Sequence, residues 1–175
     1  MSLKDIFEVL SDFFTREKIE YGIIGAYALY AYGYVRATKD IDFITRLENQ
    51  SKVVAFLESL GFETIACSSA FSNHTHIVGS VKIDIMYVEN STADSIFQVT
   101  KRSLIFKDLS LPVVSFEHLI AMKLFAHQNN PERMKDLSDI EEICKRTEHD
   151  EDSIKKYFVK YGQEKFYYER IKKRN

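Results

Sequence analysis

Tryptophan is absent, cysteine occurs only twice, and no apolar run approaches the length of a membrane span. The two cysteines, Cys67 and Cys144, lie far apart and form no CxxC, which excludes a disulfide framework built from sequence-local pairs. The opening residues MSLKDIFEVL lack the apolar segment of a secretory signal. These absences point to a cytoplasmic chain with reduced thiols and no membrane partner. A dominant charge is missing as well. The 24 Lys and Arg against 26 Asp and Glu leave a net charge of -2, so global charge points neither to nucleic acid nor to a membrane surface. No internal repeat or low-complexity segment is visible.

What is present is an ordinary globular composition, 45% apolar and 29% charged, on 175 residues. That length suits one domain, or one domain with a helical annex. Aromatics are plentiful, with 13 Phe and 10 Tyr. Charge is unevenly spread: residues 155–175, KKYFVKYGQEKFYYERIKKRN, carry eight Lys and Arg and two Glu. A basic, Tyr-rich tail suits contact with phosphates and stacking on bases, as on RNA. It equally suits a solvated terminal helix whose aromatics pack on the body.

Periodicity divides the chain in two. Leu3, Ile6, Phe7, Leu10, Phe13 and Phe14 recur at helical spacing and predict a helix over 3–17. YGIIG reads as a buried strand, AYALYAYG as a short helix closed by Gly33, and RATKDIDFITR as a second strand. SKVVAFLESLG predicts a helix stopped at Gly61, followed by strands FETIACSS, THIVG and VKIDIMYV, the last two joined by a tight Gly79-Ser80 turn. Past Leu111 the pattern turns helical, with Ser115 as an N-cap, Pro131 in a first helical position and Gly162 as a C-terminal stop. The fold class expected is α+β: a small mixed sheet with flanking helices over 1–110, then a C-terminal helical part over 111–175.

The chemistry gathers on the second strand. Successive strand side chains alternate faces, so Asp40 and Asp42 point one way while Ile41 and Phe43 point the other. Asp84, flanked by Ile83 and Ile85, is the acid inside an otherwise apolar strand. If the two strands are neighbours, three carboxylates converge and repel unless something positive joins them. Hard oxygen donors suit Mg²⁺ or Mn²⁺, which would also grip substrate phosphates. Taken alone, D-x-D also fits the wet face of a surface strand. Gly25 stands where strand passes into helix, a place where the backbone can approach a ligand and free N–H groups can seat a phosphate.

The whole stretch GIIGAYALYAYGYVRATKDIDF resembles the nucleotidyltransferase superfamily typified by DNA polymerase β, with its hG[GS] turn, short helix, D-x-D and a third acid on a later strand. It is most similar to the bacterial branch of AbiE-type and MenT-type toxins, with Gly33, Arg36, Thr38, Asp40 and Asp42 in the places that branch expects. The helical half, LPVVSFEHLIAMKLFAHQNNPERMKDLSDIEEI, resembles the same branch. The resemblance implies metal-dependent transfer of a nucleotidyl group from a nucleoside triphosphate to an acceptor such as RNA, a protein hydroxyl or a small molecule. It implies Asp40, Asp42 and Asp84 as catalytic metal ligands, with Gly25, Ala26, Arg36, Thr38, Lys123 and Asp136 about the nucleotide. Ala26 departs from the family pattern, which has Gly or Ser there. A lost serine hydroxyl would remove one phosphate hydrogen bond, about 0.5–1.5 kcal/mol. That departure keeps open a catalytically weak nucleotide-binding or antitoxin-like interaction protein of the same fold, and a structural divalent-cation module is a third reading. The small size leaves a cleft that a second copy or a partner protein would complete.

Lys123 falls on the apolar stripe of Phe116, Leu119, Ile120 and Leu124, where its ammonium needs a partner. A triphosphate would serve; otherwise the stem snorkels to the surface. Asp136 is placed to orient Lys123 or a metal-bound water, Asp139 to pair with Lys135 four residues before it, and Arg133 to contact phosphate. His74 and His76 face alike without a further ligand in view. Both cysteines are expected to pack rather than react, and Tyr27, Tyr30, Tyr32 and Tyr34 to pack or line a base pocket.

Overall fold

The chain is described by a computed structural model covering residues 2–78 and 81–172. The expected Gly79-Ser80 turn and the last three residues of the basic tail lie outside the described residues. Two compact units are present, Met1–Ala31 with Arg36–Val114, and Tyr32–Val35 with Ser115–Asn175.

The first unit runs α1 (Leu3–Arg16), β1 (Tyr21–Ile23), α2 (Gly25–Ala31), β2 (Asp40–Arg46), α3 (Gln50–Ser59), β3 (Phe62–Cys67), β4 (Phe71–His76), β5 (Lys82–Val88), α4 (Asn90–Val99), β6 (Lys101–Phe106) and β7 (Leu109–Val113). Its strands form one seven-stranded sheet in the order β3-β4-β5-β2-β1-β7-β6. Two pairs, β2 with β5 and β1 with β7, are parallel, and the rest are antiparallel. This is the mixed sheet with flanking helices that the residue pattern predicts.

Helix α1 starts at a capping box. Ser2 Oγ accepts from the Asp5 N–H at 3.2 Å, and the Asp5 carboxylate accepts from the Ser2 N–H at 2.7 Å. Its apolar stripe of Ile6, Phe7, Leu10, Phe13 and Phe14 is buried. The rings of Phe7 and Phe14 each lie 5.6 Å from the ring of Phe43 on β2. Burying one such side chain contributes about 1.5–3 kcal/mol. The packing also fixes which face of β2 turns inward, because a slip of one residue would exchange Ile41 and Phe43 for the two aspartates.

The second unit carries α5 (Phe116–Asn129), α6 (Met134–Arg146), α7 (Glu151–Lys160), and a short helical turn Glu164–Phe166 that passes into a π turn, Tyr167–Ile171. Ser115 caps α5, its Oγ accepting from the His118 N–H at 3.3 Å. Ile154, Phe158, Tyr167 and Ile171 are buried together with the apolar faces of α5 and α6. Part of the basic tail is therefore packed, and Arg170 is tied to Glu141 by Nη2 contacts of 2.9 and 3.0 Å. The ammonium groups of Lys155 and Lys172 lie over the half-exposed ring of Tyr168, 5.2 and 5.5 Å from its centre.

Several expectations are corrected. The strand expected over THIVG is β4, which begins at Phe71, not Thr75, and ends at His76. Its polar residues hide it from a hydrophobicity pattern, yet Ser72 and His74 are 0% and 1% exposed and bond each other in the core. Pro131 sits in the turn before α6, which starts at Met134. The residue pattern predicts no element over 89–110, and that span holds α4, β6 and the start of β7, the two strands forming an antiparallel hairpin. In α4 only Ala93 and Ile96 are buried, so its periodicity is weak. Cys67 is exposed rather than packed, whereas Cys144 is buried, its thiol pushed up to about 12 by that burial. No helix among the described residues is long and apolar enough to cross a membrane.

Candidate active site

Strands β2 and β5 run parallel with Asp42 level with Asp84 and Asp40 level with Lys82. Alternation then puts all three aspartates on one face of the sheet. Ile41, Phe43, Ile83 and Ile85, on the other face, are no more than 1% exposed. Asp42 and Asp84 are half-buried and Asp40 is exposed. The condition set by the sequence, that the two acid-bearing strands be neighbours, is therefore met. Among the described residues, no group of three or more His, Cys, Asp and Glu side chains is already gathered to hold a metal ion.

The junction after β1 is shaped around Asp42. The Ile24 N–H donates to the Asp42 carbonyl at 3.0 Å. Gly25 opens α2 with φ +63°, and a Cβ built there would lie 2.0 Å from Asp42 Oδ2. Only a residue without a side chain fits both the left-handed backbone and the approach of that carboxylate. Ala26, the next residue, is 3% exposed, so its methyl belongs to the packed interior. Arg36 and Thr38 lie in the irregular stretch before β2. The Thr38 hydroxyl is engaged locally, accepting from the Asp40 N–H at 3.0 Å and donating to the Asp40 carbonyl at 3.3 Å, which sets the backbone where the first acid begins.

Asn73 on β4 was not singled out by the sequence. It stands opposite Asp84 across the antiparallel β4–β5 pair, and its Nδ2 donates to Asp84 Oδ1 at 2.6 Å. On the reverse face of β4, His74 and Ser72 form a buried chain with Thr64 and Tyr87: Thr64 Oγ1 to His74 Nδ1 at 3.1 Å, His74 Nε2 to Ser72 Oγ at 2.8 Å, and Ser72 Oγ to Tyr87 Oη at 2.8 Å. His74 is thus a satisfied core histidine, its pKa lowered by burial. His76 packs edge-on against Phe62. The tyrosines divide between packing and exposure. Tyr27 lies 4.8 Å from Phe7, Tyr32 lies 5.3 Å from Phe116, and Tyr30 is largely exposed.

The second unit holds a separate charge cluster. Lys123 on α5 is 8% exposed. Its Nζ donates to Asp136 Oδ1 at 3.1 Å and to Asp139 Oδ2 at 2.7 Å, both on α6. Arg133 Nε donates to Asp136 Oδ2 at 2.7 Å. The ammonium therefore does not snorkel; in this fold its partners are two buried carboxylates. Asp136 is in direct contact with Lys123. Asp139, expected to pair with Lys135, binds Lys123, a role its i+4 spacing concealed. Burial alone would raise the Asp136 carboxyl, but Arg133 and Lys123 overcome it and hold the group below the ordinary range.

A glycine-to-helix junction packed against the first of two acid-bearing parallel strands, within a mixed sheet followed by helices, is the arrangement of a nucleotidyltransferase. The chain belongs to the family described as "Nucleotidyl transferase AbiEii toxin, Type IV TA system", whose profile matches residues 23–174. Solved structures share the fold at low identity. The lincosamide antibiotic adenylyltransferase LnuA superposes with a TM-score of 0.61 at 19% identity, over 84% of this chain and 99% of that one. The antibiotic-resistance factor ANT(2'')-Ia gives 0.68 at 14% identity, over 93% of each. An antigenic nucleotidyltransferase-like protein from Paracoccidioides brasiliensis gives 0.60 at 15% identity, over 92% of this chain and 87% of that one. No curated protein matches the chain by sequence.

Proposed function

We propose that this nucleotidyltransferase uses Mg²⁺ or Mn²⁺ bound at Asp40, Asp42 and Asp84 to move an NMP from a nucleoside triphosphate to an acceptor hydroxyl. The observation that carries the reading is the level pairing of Asp42 with Asp84, with Asp40 two residues earlier on the same face. Mg²⁺ is commonly held by one or two carboxylates together with substrate phosphates rather than by an all-protein cage. Two level acids awaiting a triphosphate fit that habit, and they need not converge beforehand.

When bound, the cation neutralises phosphate charge and makes the acceptor hydroxyl more acidic. The chain's own residues do the rest. Asp40 and Asp42 would hold the cation that grips the triphosphate, and Asp84 would hold a second cation and help take up the acceptor proton. Gly25 leaves room beside Asp42 Oδ2. The acceptor oxygen forms a bond to the α-phosphorus, the bond to the pyrophosphate oxygen breaks, and pyrophosphate leaves. Arg36, four residues before Asp40, is the cation that the family pattern assigns to meet phosphate.

The acceptor we favour is RNA, met by the Lys- and Tyr-rich α7 and tail, where Lys155 and Lys172 flank the exposed ring of Tyr168. LnuA and ANT(2'')-Ia modify antibiotics, and a small-molecule acceptor is the competing outcome. Incubation with α-labelled NTPs, Mg²⁺, and either bulk tRNA or an aminoglycoside separates the two. Label on RNA, with affinity that falls steeply as salt rises, is the expected result. Full labelling activity in Asp42→Asn would overturn the metal-site reading. The Ala26 departure favours the second reading, a catalytically weak nucleotide-binding or antitoxin-like interaction protein, which would bind NTP and metal with little or no release of pyrophosphate.

A further inference from the structure

We propose that Asn73 is a positioning residue for Asp84, fixing one carboxylate oxygen so that the other is presented to the cation and the acceptor. The inference rests on the metal-site reading above and adds to it a residue outside the acid motifs. Asn73, Asp84 and Asp42 lie level across three adjacent strands, β4, β5 and β2. The amide donates to Asp84 Oδ1 at 2.6 Å, and both side chains are half-buried. A carboxylate on a strand has two free torsions. One short bond to a neighbouring strand removes most of that freedom and aims Oδ2.

The reverse face of β4 makes the arrangement obligatory. Ser72 and His74, on either side of Asn73, are locked inside by bonds to each other, to Tyr87 and to Thr64. A shift of β4 by one residue would expose that buried chain and bury the amide. The polar core thus pins the register that delivers Asn73 to the acid face.

The test compares Asn73→Leu, which keeps the bulk without the donor, and Asn73→Ser, which keeps a donor, in the full chain. Mn²⁺ binding with NTP present is read from the EPR signal of free Mn²⁺, beside kcat and KM. Asn73→Leu is expected to weaken Mn²⁺ binding about tenfold and lower kcat about 10–100-fold, with KM for NTP and the melting temperature little changed. Asn73→Ser is expected to recover most of the loss. Unchanged Mn²⁺ affinity in Asn73→Leu overturns the proposal, whatever happens to the rate. Asp84→Ala serves as the reference: if it retains full activity, the metal-site reading itself fails, a result separate from any obtained at Asn73.

Discussion

The two units handle charge in opposite ways. Around Lys123, two cations meet two carboxylates at 2.7–3.1 Å, with the lysine and both aspartates buried. On the β2–β5 face, three aspartates share one side of a sheet, half-buried or exposed, with two of them level. A buried charge must be matched within the fold, because desolvation costs several kcal/mol per ion. Acids that keep access to water can stand side by side at modest cost and meet their counter-charge in a ligand. The matched Lys123 cluster fits a structural role, and the crowding of like charges on the acid face fits the metal site proposed above.

The sharpest way to break that contrast is Asp42→Asn. Turnover is expected to fall at least about 10³-fold, equivalent to about 4 kcal/mol of transition-state stabilisation. The melting temperature should hold or rise slightly, because a like-charge neighbour is gone. Lys123→Met is the mirror experiment. It takes the buried cation away from Asp139 and leaves Asp136 with Arg133 as its cation, so urea unfolding should show a loss of about 3–5 kcal/mol. A loss below about 1 kcal/mol would mean that the cluster does not hold α5 to α6.

Gly25→Ala joins both sides of the comparison. Left-handed backbone and a Cβ 2.0 Å from Asp42 Oδ2 predict about 1–3 kcal/mol lost stability. The carboxylate must also move, and activity should fall with it. The pH dependence of stability sharpens the contrast further. The Asp136 carboxyl is held below its ordinary 3.8 despite burial, so its contribution is complete above that value and is lost as pH falls through the lower folded value. Acid titration of stability should therefore be shallower in Asp136→Asn than in the parent chain, the two differing below about pH 4. Arg133→Ala should have the smallest effect. Its side chain is 48% exposed, and solvent screening limits the loss to about 1 kcal/mol.

Much of this was legible in the residues. The alternation in DIDFITR and KIDIMYV announces which side chains share a face, and the helical stripe of α1 announces the cover for the apolar side. Span 89–110 was not legible, because α4 buries only two side chains and β6 is an edge strand with a single buried residue. Strand β4 was hidden for a different reason. Ser72 and His74 read as polar, and only their mutual hydrogen bonds make them core residues.

The sequence by itself determined the faces: a period of two or 3.6 assigns each side chain a direction whatever the strand or helix later meets. Tertiary structure alone decided the neighbours. Strand order brought Asp84 level with Asp42 and Asn73 onto Asp84, and helix packing gave Lys123 to Asp139. Pairing between segments distant in the chain depends on which surfaces bury best together, and no local repeat encodes that.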